Sequence, residues 1–193
     1  MIFHQHHCIF VMIPKCASTS IMKSFGLDWN HPDAHLLNDA SADDYRPTLP
    51  TYFRFSTVRN PFDRFISAWK YCNFTKHRSL VDVVKNLPHQ IQPTCTPDVD
   101  CEDFAYHHLV PPQHARLFDR NKQLAVNFLM RFENLQEDFD RVCDLIGRPR
   151  SVLNHENHTA RLPYQAYFDD CPEARELVER LFRADLDAFG YHY

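Results

Sequence analysis

"CIFVMIPKCASTSIMKSFG", residues 8–26, contains the change of pattern that decides the fold. Residues 8–13 form a continuous apolar run with β-branched and aromatic members, the pattern of a strand buried on both faces. From Ser18 the spacing changes. Ile21, Met22 and Phe25 recur as on one face of a helix, Ser18 stands where a cap for the first turn belongs, and Gly26 stands where the helix should stop. Strand, tight loop and helix follow one another within this single stretch.

The same unit recurs downstream. "YFRFSTV" (52–58) alternates and then runs apolar, which predicts a second strand. "NPFDRFISAWKYC" (60–72) predicts a helix with Pro61 in its first turn and Phe62, Phe65, Ile66 and Trp69 on its buried side. "SLVDVVKNL" (79–87) predicts a short helix and "QLAVNFLMRFE" (123–133) a third strand. "NLQEDFDRVCDLIG" (134–147) predicts a helix capped by Asn134 and stopped at Gly147. Residues 172–189 predict one long helix opened by Pro172, with Leu177, Leu181, Leu186 and Phe189 buried. Residues 28–50 and most of 88–122 are polar and proline-marked, with room for short helices near 41–45 and 101–108. Strands alternating with helices imply a three-layer α/β architecture around a mostly parallel sheet, in a single domain over residues 1–193.

Charge narrows the function. With 21 Lys and Arg against 25 Asp and Glu, the net charge of −4 offers no general attraction for nucleic acid or an anionic membrane, so any anion site is local. No apolar run is long enough to span a bilayer, and "MIFHQHHCIFVMIPK" (1–15) lacks a basic leader and a cleavage site, which leads us to expect a cytoplasmic, bacterial enzyme. The seven cysteines form no C-x-x-C pair; Cys95 and Cys101 flank a polar loop that a disulfide can close. Histidines cluster at 4–7 and 155–158, but on a strand His4 and His6 share a face that His7 does not, and no carboxylate completes a shell, so no metal is expected.

Anions bind α/β sheets at the carboxyl ends of strands, where backbone N–H groups face the crevice. The first strand-to-helix turn offers Lys15, the backbone of residues 16–20 and the hydroxyls of Ser18, Thr19 and Ser20. A nucleotide-triphosphate P-loop needs glycines and a lysine entering the helix. Here lysine comes first, and with only Gly26, Gly147 and Gly190 in the chain neither that loop nor a dinucleotide fingerprint can be assembled, which disfavours ATP and NAD. The second turn ends a strand with Arg59 and places Ser67 two turns into the next helix; a guanidinium fork and a hydroxyl suit phosphate, though V-R-N-P is also an ordinary helix start.

Taken together, "IPKCASTSI" (13–21) and "VRNPFDRFISAW" (58–69) resemble the paired signatures of sulfotransferases that use 3′-phosphoadenosine 5′-phosphosulfate (PAPS), above all the carbohydrate branch with heparan sulfate 2-O-sulfotransferase and the chondroitin enzymes. The resemblance continues through "RFENLQEDFDRVCDLIG" (131–147) and the carboxyl-terminal 157–193, and is least over 75–122. It implies a P-loop-like sulfotransferase fold, PAPS as donor, adenosine 3′,5′-bisphosphate as product, and a hydroxyl of a carbohydrate or other small acceptor as substrate. It also implies that Lys15 neutralises the leaving phosphate, that Cys16, Ala17, Ser18, Thr19 and Ser20 form the 5′-phosphosulfate loop, and that Arg59 and Ser67 read the 3′-phosphate. Cys16 stands where the family often has Thr or Ser. Thr159 and Arg161 resemble a late loop over the nucleotide; a solvated loop arginine is the alternative for Arg161. The general base in the relative lies some two dozen residues before the arginine, which points to His35, with His31 and His108 as further candidates and an ordinary loop histidine as the alternative. Two other functions remain open: a nucleotide kinase or hydrolase of related fold, and a non-catalytic binder of 3′-phosphorylated nucleotide.

Overall fold

The computed structural model describes residues 1–28, 50–72, 78–87, 109, 111–154 and 161–193. In chain order the elements are β1 (Ile2–Phe3), β2 (Cys8–Val11), α1 (Ser18–Ser24), β3 (Phe53–Val58), α2 (Pro61–Tyr71), α3 (Leu80–Lys85), α4 (His114–Leu117), β4 (Phe128–Arg131), α5 (Leu135–Leu145), α6 (Tyr164–Asp169), α7 (Pro172–Leu181) and α8 (Arg183–Phe189). They fall into two compact units, one of Met1–Arg59 with Gln113–Asn157 and one of Asn60–Pro112 with His158–Tyr193.

The first unit is α/β and holds the described sheet. Its strand order is β1-β2-β3-β4. β2, β3 and β4 run parallel, with Phe10 opposite Phe55 and Phe55 opposite Phe128, while β1 pairs antiparallel to β2. All four residues of β2 are buried, as a continuous apolar run requires. Phe10, Phe55 and Met130 from the sheet join Ile21 and Met22 from α1 and Phe139 and Val142 from α5 in one apolar cluster. Arg148 covers that cluster, its guanidinium carbon 4.5 Å from the centre of the Phe25 ring.

Four expectations for this unit need correction. Asn134 holds the cap position of α5, but its side chain makes no capping hydrogen bond. The histidines at 4–6 lie in a 3-10 turn rather than on a strand, and His7 is left-handed (φ 47), donating to the His4 carbonyl at 3.2 Å. β1 must reverse into antiparallel β2 within a few residues, and that geometry overrides the extended pattern. Ser18 does not cap α1: Ala17 holds the cap position, and the Ser18 hydroxyl donates to the Ile13 carbonyl at 3.2 Å. The third strand covers only Phe128–Arg131, and Leu124, upstream of it, forms an isolated bridge to Phe118.

The second unit is helical. Asn60 caps α2, accepting the Phe62 N–H at 3.0 Å, and Pro61 opens the helix. Phe62, Phe65 and Ile66 are buried as their spacing predicts. The long helix expected over 172–189 is two helices, broken at Phe182, which is 1% exposed and lies 6.3 Å from the Phe65 ring. Its N–H closes α7 on the Val178 carbonyl while its backbone leads into α8. The buried stripe of α7 is accordingly Ala174 and Val178, running on to Phe182, whereas Leu181 is 41% exposed and Leu177 is half-buried. α6, which the periodicity did not announce, packs on α2 and α7. Among the described residues no helix is long and apolar enough to cross a membrane.

Candidate functional site

The first unit places the two expected cationic residues, Lys15 and Arg59, in one hydrogen-bonded neighbourhood. β2 ends at Val11, and Ile13 to Cys16 form a turn closed by the Cys16 N–H on the Ile13 carbonyl at 3.3 Å. Pro14 fixes a negative φ, and Lys15 follows at φ 66, which makes the turn type II. That position ordinarily calls for glycine, and Ala17 repeats the demand at φ 65. Each left-handed non-glycine residue costs about 1–2 kcal/mol and persists where its surroundings over-determine the backbone.

Those surroundings are visible. The Ser18 hydroxyl holds the Ile13 carbonyl, the Ile21 N–H bonds the Ala17 carbonyl at 3.1 Å, and Arg59 Nη1 donates to the Lys15 carbonyl at 3.0 Å. A left-handed residue followed by a helical one turns successive N–H groups to one side, the arrangement that receives anions. Lys15, Ala17, Ser18 and Thr19 are half-buried, and Cys16 and Ser20 are buried. Asp28 is the first acidic residue of the sequence, thirteen positions past Lys15. Cys16 faces inward: besides the turn bond of its N–H, its thiol reaches Gln113 Oε1 at 3.5 Å.

Arg59 follows the last residue of β3 and is 7% exposed. Its guanidinium lies over the Phe132 ring, 3.8 Å from the centroid, an apolar floor that strengthens every charge interaction it makes. Its backbone is gripped from the side by Gln113: the Arg59 N–H donates to Gln113 Oε1 at 2.9 Å, and Gln113 Nε2 donates to the Arg59 carbonyl at 2.8 Å. Sequence reasoning did not find Gln113 or Phe132. Gln113 sits in a proline-marked stretch without periodicity, and only the pairing of strand ends reveals what it touches.

The remaining expected residues are placed as follows. Ser67 lies in the second unit on α2, half-buried, two turns after Asn60. Arg161, also in the second unit, is not a solvated loop arginine: it pairs with Asp63 on α2, with side chains 13% and 20% exposed. His31, His35, His108 and Thr159 lie outside the described residues, as do Cys95, Cys101, His155 and His158. The described cysteines, Cys8, Cys16, Cys72, Cys143 and Cys171, are unbridged. Among the described residues no three His, Cys, Asp or Glu side chains gather into a metal-binding group.

The model of the family described as "Sulfotransferase family" matches residues 1–192 of the chain. No curated protein and no solved structure matches it significantly.

Proposed function

The chain belongs to the sulfotransferase family, and from that premise we propose that it transfers a sulfuryl group from PAPS to a hydroxyl of a carbohydrate or other small acceptor, as a single domain. The observation that carries the assignment is the bond from Arg59 Nη1 to the Lys15 carbonyl at 3.0 Å, which ties the cations of the two motifs together in one unit. The donor set fits a nucleotide with anionic groups at two ends: an ammonium, a guanidinium, and left-handed backbone at Lys15 and Ala17.

PAPS, when bound, supplies an activated sulfuryl group on a phosphate leaving group. Lys15 neutralises charge on that phosphate, and because the loop is already bent it does so without reorganising. The backbone and hydroxyls of Ala17, Ser18, Thr19 and Ser20 hold the phosphosulfate end. The Arg59 fork, supported by Phe132, would hold the 3′-phosphate, a role that the resemblance also gives to Ser67. The resemblance also gives Thr159 and Arg161 a role in binding the nucleotide. His35 accepts the proton that leaves the acceptor hydroxyl, since an imidazole titrates near neutrality. Like phosphoryl transfer, the reaction depends on alignment and charge compensation more than on covalent catalysis.

Calorimetric titration with adenosine 3′,5′-bisphosphate and adenosine 5′-monophosphate tests the donor site. The bisphosphate is expected to bind more tightly, and equal affinity would remove the role of Arg59. Labelled sulfate transfer from PAPS to a panel of hydroxyl acceptors tests the reaction. Lys15→Ala is expected to lower turnover by about 10²–10³-fold, the scale for losing one preorganised charge-stabilising group. His35→Ala is expected to lower it by about 10²–10⁴-fold. Nucleotide binding without transfer to any acceptor would identify a binding module instead.

A further inference from the structure

Resting on the donor assignment above, we propose that Gln113 is a positioning residue for that site, its carboxamide locking the Arg59 backbone and the Cys16 turn into one register. A primary amide has two N–H donors and a carbonyl oxygen with two lone pairs. Gln113 spends them on both halves of the site. Oε1 accepts the Arg59 N–H at 2.9 Å and the Cys16 thiol at 3.5 Å, while Nε2 donates to the Arg59 carbonyl at 2.8 Å.

The location explains the need. The ladder between β3 and β4 ends with Val58 opposite Arg131, so Arg59 is the first residue beyond the paired strand. Backbone beyond a ladder is ordinarily free to choose its direction. The Gln113 amide exchanges both hydrogen bonds with Arg59 as a neighbouring strand residue would. The backbone therefore stays in line for one more position, and the side chain is aimed along Phe132 toward the Lys15 carbonyl. Gln113 is itself 0% exposed, so it has no bulk water to fall back on and its amide is committed to these partners.

The segment carrying Gln113 is anchored independently. Arg116, in α4, donates through Nη1 to the Met12 carbonyl at 3.1 Å, just past the end of β2. A single short segment thus braces the ends of both β2 and β3. The consequence is functional as well as structural: with the amide gone, the guanidinium keeps its charge but loses its fixed direction, and two-pronged phosphate recognition depends on direction.

The test compares affinities for adenosine 3′,5′-bisphosphate and adenosine 5′-monophosphate in the full chain, in Gln113→Met, in Arg59→Ala and in the double variant. Methionine keeps the length of glutamine and removes its donors. The wild-type preference for the bisphosphate is expected to fall about tenfold in Gln113→Met, the scale of one lost charge-assisted hydrogen bond, with the monophosphate much less affected. In the Arg59→Ala background the Gln113 change is expected to add nothing to that preference. Equal losses for both nucleotides, or effects of the two substitutions that multiply, would overturn the positioning role while leaving the donor assignment intact. A wild type with no preference for the bisphosphate would overturn the donor assignment and the positioning role with it. Should Gln113→Met fail to fold, Gln113→Asn serves the same comparison, because its amide is one methylene too short to reach all three partners.

Discussion

The two strand-to-helix turns occupy equivalent places after β2 and β3, yet they are built in opposite ways. The turn into α2 follows local rules: Asn60 accepts the Phe62 N–H and Pro61 supplies a helical φ, so a few adjacent residues set the helix entry. The turn into α1 has neither a side-chain cap nor a glycine, and it holds Lys15 and Ala17 at positive φ through bonds from Ser18, Ile21 and the distant Arg59. The contrast teaches where strain is tolerated. A helix entry can be set by adjacent residues, whereas backbone shaped for an anion, at Lys15 and Ala17 as at Arg59 just before α2, is held by partners far along the chain.

Substitutions can break or sharpen this contrast. The largest stability effect is expected at the local turn. Asn60 Nδ2 also donates to the His192 carbonyl at 2.9 Å and to the Tyr164 hydroxyl at 3.3 Å, so Asn60→Ala removes the cap together with both ties. A loss of about 2–3 kcal/mol in urea unfolding is expected. Asn60→Asp keeps the cap oxygen and loses the donor, and should recover part of that loss. Full recovery would mean that the Nδ2 bonds to His192 and Tyr164 contribute nothing.

A smaller effect is expected at the strained turn. Ala17→Val should cost about 1–2 kcal/mol, because a β-branched side chain is poorly accommodated at positive φ. Ala17→Gly should raise stability by about 0.5–1 kcal/mol, the relieved strain exceeding the added entropy of the unfolded chain. A destabilised glycine variant, seen as a lower unfolding midpoint, would show that the left-handed backbone at 17 is not strained.

The smallest perturbation touches neither turn but the cluster beneath the first. Burial pushes the Cys8 thiol up to about 12, against the opposing charge of Arg148, and burial likewise raises Cys143. Native Cys8 is therefore a neutral thiol at pH 8, and alkylation mapped by mass spectrometry should reach half-buried Cys171 before Cys8. The sign for stability follows. The unfolded thiol ionises near pH 9 while the folded one holds its proton to about pH 12, so this contribution is complete below 9 and declines as pH rises from 9 toward 12. Rapid native labelling of Cys8 would contradict that burial.

The elements were legible wherever the signal was local and periodic. The apolar run at 8–13 led to a buried strand, and Asn60-Pro61 followed by Phe62, Phe65 and Ile66 led to α2. Periodicity failed where tertiary packing chose among similar apolar residues, as at α7, where Phe182 rather than Leu181 is buried. At the site, Lys15 and Arg59 were legible as charged residues at strand ends. Gln113 was not, because no pattern in its own neighbourhood records that its amide ends up beside Arg59.

By itself the sequence determined the alternation of strands and helices, the two cationic turns and the family signature, since each depends on residues near one another along the chain. Only the tertiary structure decided that a glycine-free loop is held left-handed, that Arg59 bonds the Lys15 carbonyl and that Gln113 braces both strand ends. Hydrogen bonds between residues 44 and 54 positions apart form only after the parallel strands have brought those residues together; no local propensity encodes them.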